Sequence, residues 1–340
     1  MPGRPPKRGV VKTVVKTDVL SDVLRAVRLT GAVYFDFELS APWVAEAPAS
    51  RQIAGVVMPG AQRVIEYHVV ARGACWGQML GAEPIRLHEG DLLVFPQGDA
   101  HVLSSAPGMR REPDLKMFAR PTTPLPLVFE MGGGGDRARI VCGFLGCDER
   151  PYNPLLDALP RVIHLPAASH GGHGWLGTLL EIAVGESGQS RAGGENILAR
   201  LSELMFVEIV RRFLATLPPT ETGWLAGLRD TVVGQALAAM HGAPAEAWTV
   251  ESLAREVGLS RSVFAERFME LVGQPPMHYL AMWRMQVAAR LLADGGTVAS
   301  VASAVGYDSE AAFSRAFKKL VGQAPASWRR RAADTSGPAS

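Results

Sequence analysis

Several features that would fix the class of this protein are scarce in its sequence. Cysteine occurs three times in 340 residues, an odd and low count that argues against a disulfide scaffold and favours a reducing compartment. No uncharged apolar run reaches the ~18–20 residues of a membrane span. The basic N-terminus lacks the apolar segment of about 7–15 residues that a signal peptide requires. The sequence therefore predicts a cytoplasmic protein without a membrane partner.

Length and composition indicate folded domains. The chain is 47% hydrophobic and 20% charged, which excludes a mainly disordered protein. Its length predicts two or three domains, because a typical domain has about 100–150 residues. The net charge of +2 conceals an uneven distribution. Residues 1–16 carry five basic side chains and no acid, and residues 310–331 carry six basic side chains and one acid.

The basic clusters allow two interpretations. They favour an anionic partner such as nucleic acid, or they form solvated surfaces beside a basic tail. The tail, residues 1–16, is predicted to be disordered. Charge alone does not decide between these interpretations.

The C-terminal third contains an internal repeat. Residues 253–260 and 301–308 have similar patterns, and their glycines, Gly258 and Gly306, are 48 positions apart. In each copy, apolar residues at helical spacing precede the glycine, and two phenylalanines follow it. Each copy predicts a helix, a tight turn at the glycine and a second helix. The predicted N-caps are Thr249, Ser260, Thr297 and Ser309, and the predicted inward residues of the first unit's second helix are Val263, Phe264 and Phe268.

The two units, residues 249–271 and 297–320, are joined by a predicted amphipathic helix over residues 276–293. Their pattern resembles the DNA-binding domain of AraC/XylS-type transcriptional regulators. The resemblance rests on Gly258-Leu259-Ser260, Trp283-Arg284-Met285, Val305-Gly306-Tyr307-Asp308-Ser309 and Phe313-Ser314-Arg315-Ala316-Phe317-Lys318-Lys319. It implies two helix-turn-helix units that enter successive major grooves on one face of DNA.

Carried over by position, the resemblance implies specific roles for the second helix of each unit. Arginine can bond a guanine edge bidentately, glutamate can accept from cytosine, and alanine can contact a thymine methyl. The implied base readers are Arg261, Ser262, Ala265, Glu266, Glu310, Ala311, Ser314 and Arg315, and the implied phosphate contacts include Lys318 and Lys319. The alternative for Glu266 and Glu310 is a local salt bridge.

The N-terminal half shows short β-type runs separated by turn residues, as in an all-β sandwich or barrel. The segment Gly90–His101 is similar to the second motif of the cupin fold, in which a turn after a strand presents a histidine. Gly60, Glu66 and His68 match the first motif incompletely, since Glu66 replaces a histidine and the motif's later glutamate is missing. The resemblance implies a cupin-like sensor domain over residues 17–165.

The cupin-like motifs raise the question of a metal site. Glu66, His68 and His101 can converge in such a fold, Cys142 on a later strand can join them, and this donor set suits zinc. The alternative is a pair of packed, hydrogen-bonded histidines in an effector pocket. The missing family ligands favour this alternative.

Two predicted helices lie between the domains, over residues 174–184 and 195–217. The linker, residues 166–222, is predicted either to dimerise or to pack within the chain. The segment Trp224–Met240 is predicted as the first helix of the DNA-binding domain, which spans residues 223–332 and is followed by a flexible tail, residues 333–340.

The resulting fold class is an α+β multidomain protein, with a cupin-like β-barrel, a helical linker and an all-α domain with two helix-turn-helix units. The predicted function is an effector-responsive, sequence-specific DNA-binding transcriptional regulator, not an enzyme. Its predicted partners are operator DNA, a small-molecule effector, RNA polymerase and a second copy of the chain. Two alternatives remain: a cupin-type metalloenzyme with an accessory helical domain, and an architectural DNA-binding protein that needs no pocket.

Overall fold

The computed structural model describes residues 18–27, 29–118, 125–147, 151–170, 175–189, 191–218 and 220–335. The predicted basic tail, residues 1–16, and residues 336–340 lie outside this range. The domain limits expected from the sequence stay predictions.

The described N-terminal residues form ten strands in two sheets. The strands are β1 Thr30–Ser40, β2 Val44–Ala47, β3 Arg63–Arg72, β4 Ala74–Met79, β5 Ile85–His88, β6 Leu92–Phe95, β7 His101–Ser104, β8 Leu127–Gly132, β9 Arg137–Cys147 and β10 Ile163–Leu165. One sheet has the order β10-β6-β3-β9-β1-β8, and the other has the order β2-β7-β4-β5. Only the β1–β8 pair is parallel among the described strands.

The two sheets share a hydrophobic core that lies between them. The longest strands alternate so that one set of side chains enters this core and the other set faces the helices. Phe35 and Phe37 of β1, Phe95 of β6 and Leu103 of β7 belong to the core between the sheets. The predicted cupin-type β domain is confirmed, although among the described strands the two sheets are not hydrogen-bonded into one closed barrel.

Thirteen α-helices are found among the described residues. They are α1 Val19–Ala26, α2 Ala54–Val57, α3 Pro154–Ala158, α4 Trp175–Ser187, α5 Gly194–Thr216, α6 Trp224–Arg229, α7 Thr231–Gly242, α8 Val250–Glu256, α9 Arg261–Val272, α10 Pro276–Ala293, α11 Val298–Ala304, α12 Glu310–Val321 and α13 Pro325–Thr335. The predicted single helix Trp224–Met240 is wrong. The chain breaks at Asp230, whose extended backbone and carboxylate cap α7 by accepting from the amides of Val232 and Val233.

A second core joins the six-stranded sheet to the C-terminal helices. It contains outward-facing strand residues such as Tyr67, helix residues such as Met205 of α5, Phe264 of the first helix-turn-helix unit and Tyr279 of α10. The second unit has a separate core built around Phe313 and Phe317. The first unit therefore shares a core with the N-terminal domain, whereas the second unit packs mainly on α10.

The linker helices lie directly on the six-stranded sheet. A Cβ added to Gly31 of β1 would lie 2.4 Å from the carbonyl oxygen of Ala199 on α5. A side chain at this position would push α5 off the sheet. The three cysteines are buried and unpaired with one another. Within the described part of the chain, no helix is both long enough and apolar enough to cross a membrane.

Candidate DNA-binding helices and sensor pocket

The first helix-turn-helix unit follows its local sequence signals closely. The Thr249 hydroxyl accepts from the amide of Ser252, and the Ser252 hydroxyl accepts from the amide of Thr249, which forms a capping box at α8. Gly258 adopts φ 73°, which permits the tight turn. Ser260 then caps α9 by accepting from the amide of Val263. These predicted signals are confirmed.

The second unit has the same caps and turn, and its turn glycine is also packed closely against another backbone segment. Thr297 caps α11 and Ser309 caps α12 through their hydroxyls. Gly306 adopts φ 79°. A Cβ at Gly306 would lie 2.4 Å from the carbonyl oxygen of Ala245. Glycine is required here both by the backbone conformation and by the lack of space.

Buried phenylalanines fix the orientation of the two recognition helices, α9 and α12. Phe264, Phe268, Phe313 and Phe317 are all 0% exposed. The prediction that Val263 points inward is wrong, because this side chain is 50% exposed. It lies in the first turn of α9 and adds an apolar side chain to the exposed surface of that helix.

The predicted DNA-contacting residues all lie on α9 or α12. Arg261, Ser262, Glu266, Glu310, Ala311, Arg315, Lys318 and Lys319 are exposed, and Ala265 and Ser314 are half-buried. This placement is compatible with their predicted roles, and the roles themselves stay predictions.

The two recognition helices differ in how many of their positive side chains have an ion-pair partner. The Arg261 Nε lies 2.8 Å from Glu251 Oε1 of α8, a contact that the sequence did not predict. Arg267 of α9 is likewise paired with Asp230. Arg315 of α12 is exposed and has no ion pair or hydrogen bond to another described residue. The second recognition helix therefore presents more uncommitted positive charge than the first.

The polar residues predicted for the sensor domain converge between its two sheets. Glu66 and His68 lie on β3, His101 begins β7, and Cys142 lies on β9 directly opposite His68 in the register. The donor atoms of Glu66, His68 and His101 all lie within 4.8 Å of one another. The Nδ1 atom of His68 lies 2.9 Å from the Cys142 Sγ. The structure brings these four residues together, and their role as an effector or metal site stays a prediction.

Hydrogen bonding within the cluster has a defined direction. His101 Nδ1 donates to the carbonyl of Asp99 at 2.7 Å, so the Nε2 atom of a neutral His101 is an acceptor. His68 Nε2, 2.6 Å away, must then donate to it. This leaves His68 Nδ1 to accept from the Cys142 thiol.

Burial maintains these protonation states. It lowers the pKa of His101 to about 4, and burial together with the neighbouring His101 ring holds the pKa of His68 well below its usual value. Burial also raises the pKa of the Cys142 thiol. The Phe95 ring stacks on His101 at a centroid distance of 3.8 Å and fixes its plane. Sequence reasoning identified neither Asp99 nor Phe95 as a partner of the cluster.

Glu66 is the member of the cluster whose bonding is incomplete. It is 2% exposed, its Oε1 atom has no hydrogen-bond partner, and Oε2 lies 3.8 Å from His101 Nε2. Burial raises the pKa of this carboxyl well above its usual value. A buried polar atom without a partner is costly and indicates a missing ligand or water.

A metal ion fits this donor set in chemistry and partly in geometry. One carboxylate and two imidazoles are a common zinc set. However, two ligands bound at ~2.0–2.1 Å in a tetrahedron lie ~3.3 Å apart, whereas the two Nε2 atoms lie 2.6 Å apart. The rings would have to separate to admit an ion, so the present arrangement is that of a hydrogen-bonded pair.

The cluster forms the polar end of a pocket that is otherwise mainly apolar. The cavity is about 60 Å³, which admits a few water molecules or a small ligand group. Phe35, Phe37, Leu103 and Phe144 contribute to its apolar walls, and Arg111, Glu112 and Asp114 also line it. An apolar pocket with a few convergent polar groups is typical of a ligand site.

Direct contacts connect the N-terminal domain to α10, the helix that joins the two helix-turn-helix units, and to the turn before it. Gln286 of α10 is 2% exposed. Its Oε1 accepts from the amide of Tyr152 at 3.0 Å, and its Nε2 donates to the carbonyl of Ala26 at 3.0 Å. Gln274 donates to the Tyr152 hydroxyl at 2.6 Å. No sequence signal separates these glutamines from surface glutamines.

Comparison with known proteins agrees with this architecture. Residues 18–215 match a family model described as cupin, and residues 253–331 match one described as a helix-turn-helix domain. An AraC-like transcription regulator of Streptomyces lividans is 36% identical over 273 residues, which are 79% of this chain and 88% of that protein. The chain belongs to the AraC-type family of transcriptional regulators.

Two further similarities accompany this assignment. The transcriptional regulator AlkR of Acinetobacter baylyi is 31% identical over 80% of this chain and 89% of its own length. The DNA-binding domain of AdpA, solved in complex with a target DNA, is 32% identical and covers 32% of this chain and 99% of its own, with a TM-score of 0.30. As a member of the AraC-type family, the chain is a transcriptional regulator with a DNA-binding helix-turn-helix domain.

Proposed function

We propose that this AraC-type regulator binds specific operator DNA through α9 and α12, and that a small ligand in the pocket between the sheets controls this binding. The observation that carries the proposal is the shared core of the sensor and the first helix-turn-helix unit. A ligand changes an equilibrium only by binding two states unequally. A common core allows a change at the pocket to alter the position of one DNA reader.

Contacts on both sides of β3 support a mechanical route from the pocket. Glu66 and His68 face the pocket, and Tyr67 between them faces the other side. The Tyr67 hydroxyl lies 2.5 Å from the Ser202 hydroxyl on α5, and both residues are buried. A ligand that displaces β3 therefore acts directly on α5.

On the DNA side, we assign unequal tasks to the two readers. Arg315, Lys318 and Lys319 give α12 an uncommitted positive surface, which favours phosphate attraction and a guanine contact. On α9, Arg261 is engaged by Glu251, and Val263 is exposed beside Ala265. This surface favours apolar contacts to thymine methyl groups, with Glu266 as a candidate acceptor for cytosine.

A second candidate for the pocket ligand is a divalent metal ion. The unpartnered Oε1 of Glu66 and its closeness to two imidazoles favour this candidate. Glu66, His68 and His101 would hold the ion, and Cys142 lies next to His68 as a further donor. When bound, the ion would supply a positive charge that keeps Glu66 ionised and separates the two rings.

We infer a sensing role for the pocket rather than a catalytic one. The ring nitrogens of His68 and His101 are engaged with each other, with Cys142 and with Asp99, which is a positioning network. An acid–base role would require a ring nitrogen that faces a substrate. The names of the relatives, which are transcription regulators, support the same inference.

We also propose that the chain forms a homodimer through the outer face of α4 and α5. Ile182 of α4 and Ile197 and Leu204 of α5 are 48%, 47% and 47% exposed, and such apolar residues favour burial against a second copy. RNA polymerase remains a predicted partner.

The proposal is tested by measuring operator affinity by fluorescence anisotropy while small molecules and Zn²⁺ are titrated separately. The matched variants are His101→Asn in the pocket and His88→Asn, an exposed histidine on β5. An effector should shift affinity by about 5–150-fold in the wild type and in His88→Asn, but not in His101→Asn. Identical responses of both variants would contradict a role for this pocket.

A further inference from the structure

A second concave site lies where the sensor domain meets the DNA-binding domain. It is an open cleft of about 230 Å³ between α1, α7 and α10. Asp22 and Arg25 contribute from α1, His241 from α7, and Trp283 and Arg290 from α10. This cleft is separate from the pocket between the sheets and has no residue in common with it.

Three buried polar atoms around this cleft have no hydrogen-bond partner among the described residues. They are Asp22 Oδ2, His241 Nδ1 and the indole Nε1 of Trp283. The His241 residue is 6% exposed, and its ring stacks on Trp283 at a centroid distance of 3.8 Å. A buried polar group without a partner destabilises the folded state. The two atoms on Asp22 and His241 lie 4.0 Å apart and point to a ligand that satisfies both.

The hydrogen positions at His241 follow from its neighbours. The Trp224 indole N–H can only donate, and it donates to the Tyr279 hydroxyl at 2.9 Å. The Tyr279 O–H then donates to His241 Nε2 at 2.7 Å. Burial lowers the pKa of His241 to about 3, so the ring is neutral and its single N–H is on Nδ1.

The cleft therefore presents an N–H donor opposite a carboxylate acceptor. His241 Nδ1 and Asp22 Oδ2 are 4.0 Å apart, too far for a direct hydrogen bond and suited to one bridging atom. The other carboxylate oxygen of Asp22 is engaged by Arg25 at 2.6 Å. The bridging atom must accept from His241 and donate to Asp22.

This requirement selects among ligand classes. An ether or carbonyl oxygen accepts but cannot donate, and an ammonium group donates but cannot accept. A metal ion would have only two donors here, because the described residues place no third His, Cys, Asp or Glu donor with this pair, whereas zinc needs three or four. A hydroxyl oxygen meets both requirements.

We propose that this cleft is a second ligand site, which takes a small molecule whose aliphatic hydroxyl bridges His241 and Asp22. The remainder of the molecule lies against Trp283, Val287 and Leu291, which give the cleft an apolar side. The bridge connects α1 of the sensor domain to α7 of the DNA-binding domain. Its effect on DNA binding rests on the proposed function, whereas the binding itself does not.

The test uses full-length protein without DNA and three probes: 1-butanol, its isomer diethyl ether, and n-butylammonium. Binding is followed by saturation-transfer NMR, and the His241 ring by ¹⁵N shifts of labelled histidine. We expect 1-butanol to bind and to shift the His241 Nδ1 resonance, and the ether to bind about tenfold more weakly because it cannot donate to a charged carboxylate.

Variants locate the binding. Asp22→Asn should weaken 1-butanol binding about tenfold or more, while Asp294→Asn at the rim of the same cleft and His101→Asn in the sensor pocket should leave it unchanged. Equal binding of alcohol and ether, preference for butylammonium, or binding lost only in His101→Asn would overturn the proposal. An unshifted His241 resonance with no probe bound would show that an ordered water alone fills the gap, which also overturns it. The wild-type probe comparison remains decisive if a variant fails to fold.

Discussion

The exposed arginine of the second recognition helix offers the most informative perturbation of DNA binding. Arg315 has no partner among the described residues, so its guanidinium is available to a guanine edge without breaking another contact. A bidentate contact of this kind discriminates by about 1–3 kcal/mol. We expect Arg315→Ala to weaken operator binding by about 5–150-fold and to relax preference at one base position.

The first recognition helix provides the internal comparison. Arg261 must leave Glu251 before it can contact DNA, and both side chains are largely exposed, at 70% and 51%. Breaking such an exposed pair costs about 0–1 kcal/mol. We therefore expect Arg261→Ala to lose less affinity than Arg315→Ala, and we expect the two losses to differ by up to about fivefold. Glu251→Ala should leave affinity unchanged or raise it.

The assay is anisotropy on the selected operator and on variants with one base pair changed at a time, repeated over a range of salt concentrations. Lys318→Ala is the matched control for a phosphate contact and should weaken all sequences equally, with a salt slope smaller by about one. If Arg315→Ala behaves like Lys318→Ala, the assignment of Arg315 as a base reader is refuted.

Three further predictions concern the scaffold. Gln286→Leu should lower the free energy of unfolding in urea by about 1–3 kcal/mol. It should also reduce the change in operator affinity that the effector causes, while DNA binding persists. An unchanged effect of the effector would show that Gln286 does not couple the pocket to DNA binding. Between pH 6.5 and about 3, His241 is protonated in the unfolded state but neutral in the folded state, because burial lowers its pKa to about 3. The free energy of unfolding therefore falls as the pH falls, by about 2 kcal/mol near pH 5. When the free energy of unfolding in urea is measured against pH, this loss should be absent in His241→Gln and present in His278→Gln, which changes an exposed histidine. Parallel curves for His241→Gln and the wild type would refute the prediction. Gly306→Ala should lower the melting temperature far more than Gly258→Ala, because only Gly306 lacks room for a Cβ; equal losses would contradict this difference.

Local signals carried most of what the sequence predicted correctly. Neighbouring residues determine the N-caps at Thr249 and Thr297 and the glycine turns at Gly258 and Gly306, because these features involve backbone groups only a few residues away. The amphipathic helix predicted over residues 276–293 is α10, with the same limits. The convergence of His68 and His101 was predictable because a resemblance supplied the long-range pairing.

The contacts that depend on three-dimensional proximity were not predictable from the sequence. Three examples are the ion pair of Arg261 with Glu251, the hydrogen bonds of Gln286 and the cleft at Asp22. Each joins residues that the local sequence pattern does not relate. Val263 was assigned to the core because its apolar character outweighed its position in the first turn of α9.

The most direct test of the central claim is a selection of bound sequences from random duplex DNA with purified full-length protein at fixed salt. Two readers on one DNA face predict an enriched motif with two half-elements about one helical turn apart. The His101→Asn variant should enrich the same motif, since the pocket controls the readers and does not touch DNA. Enrichment of a single half-element, or of no motif by a folded protein with and without its effector, would contradict the account.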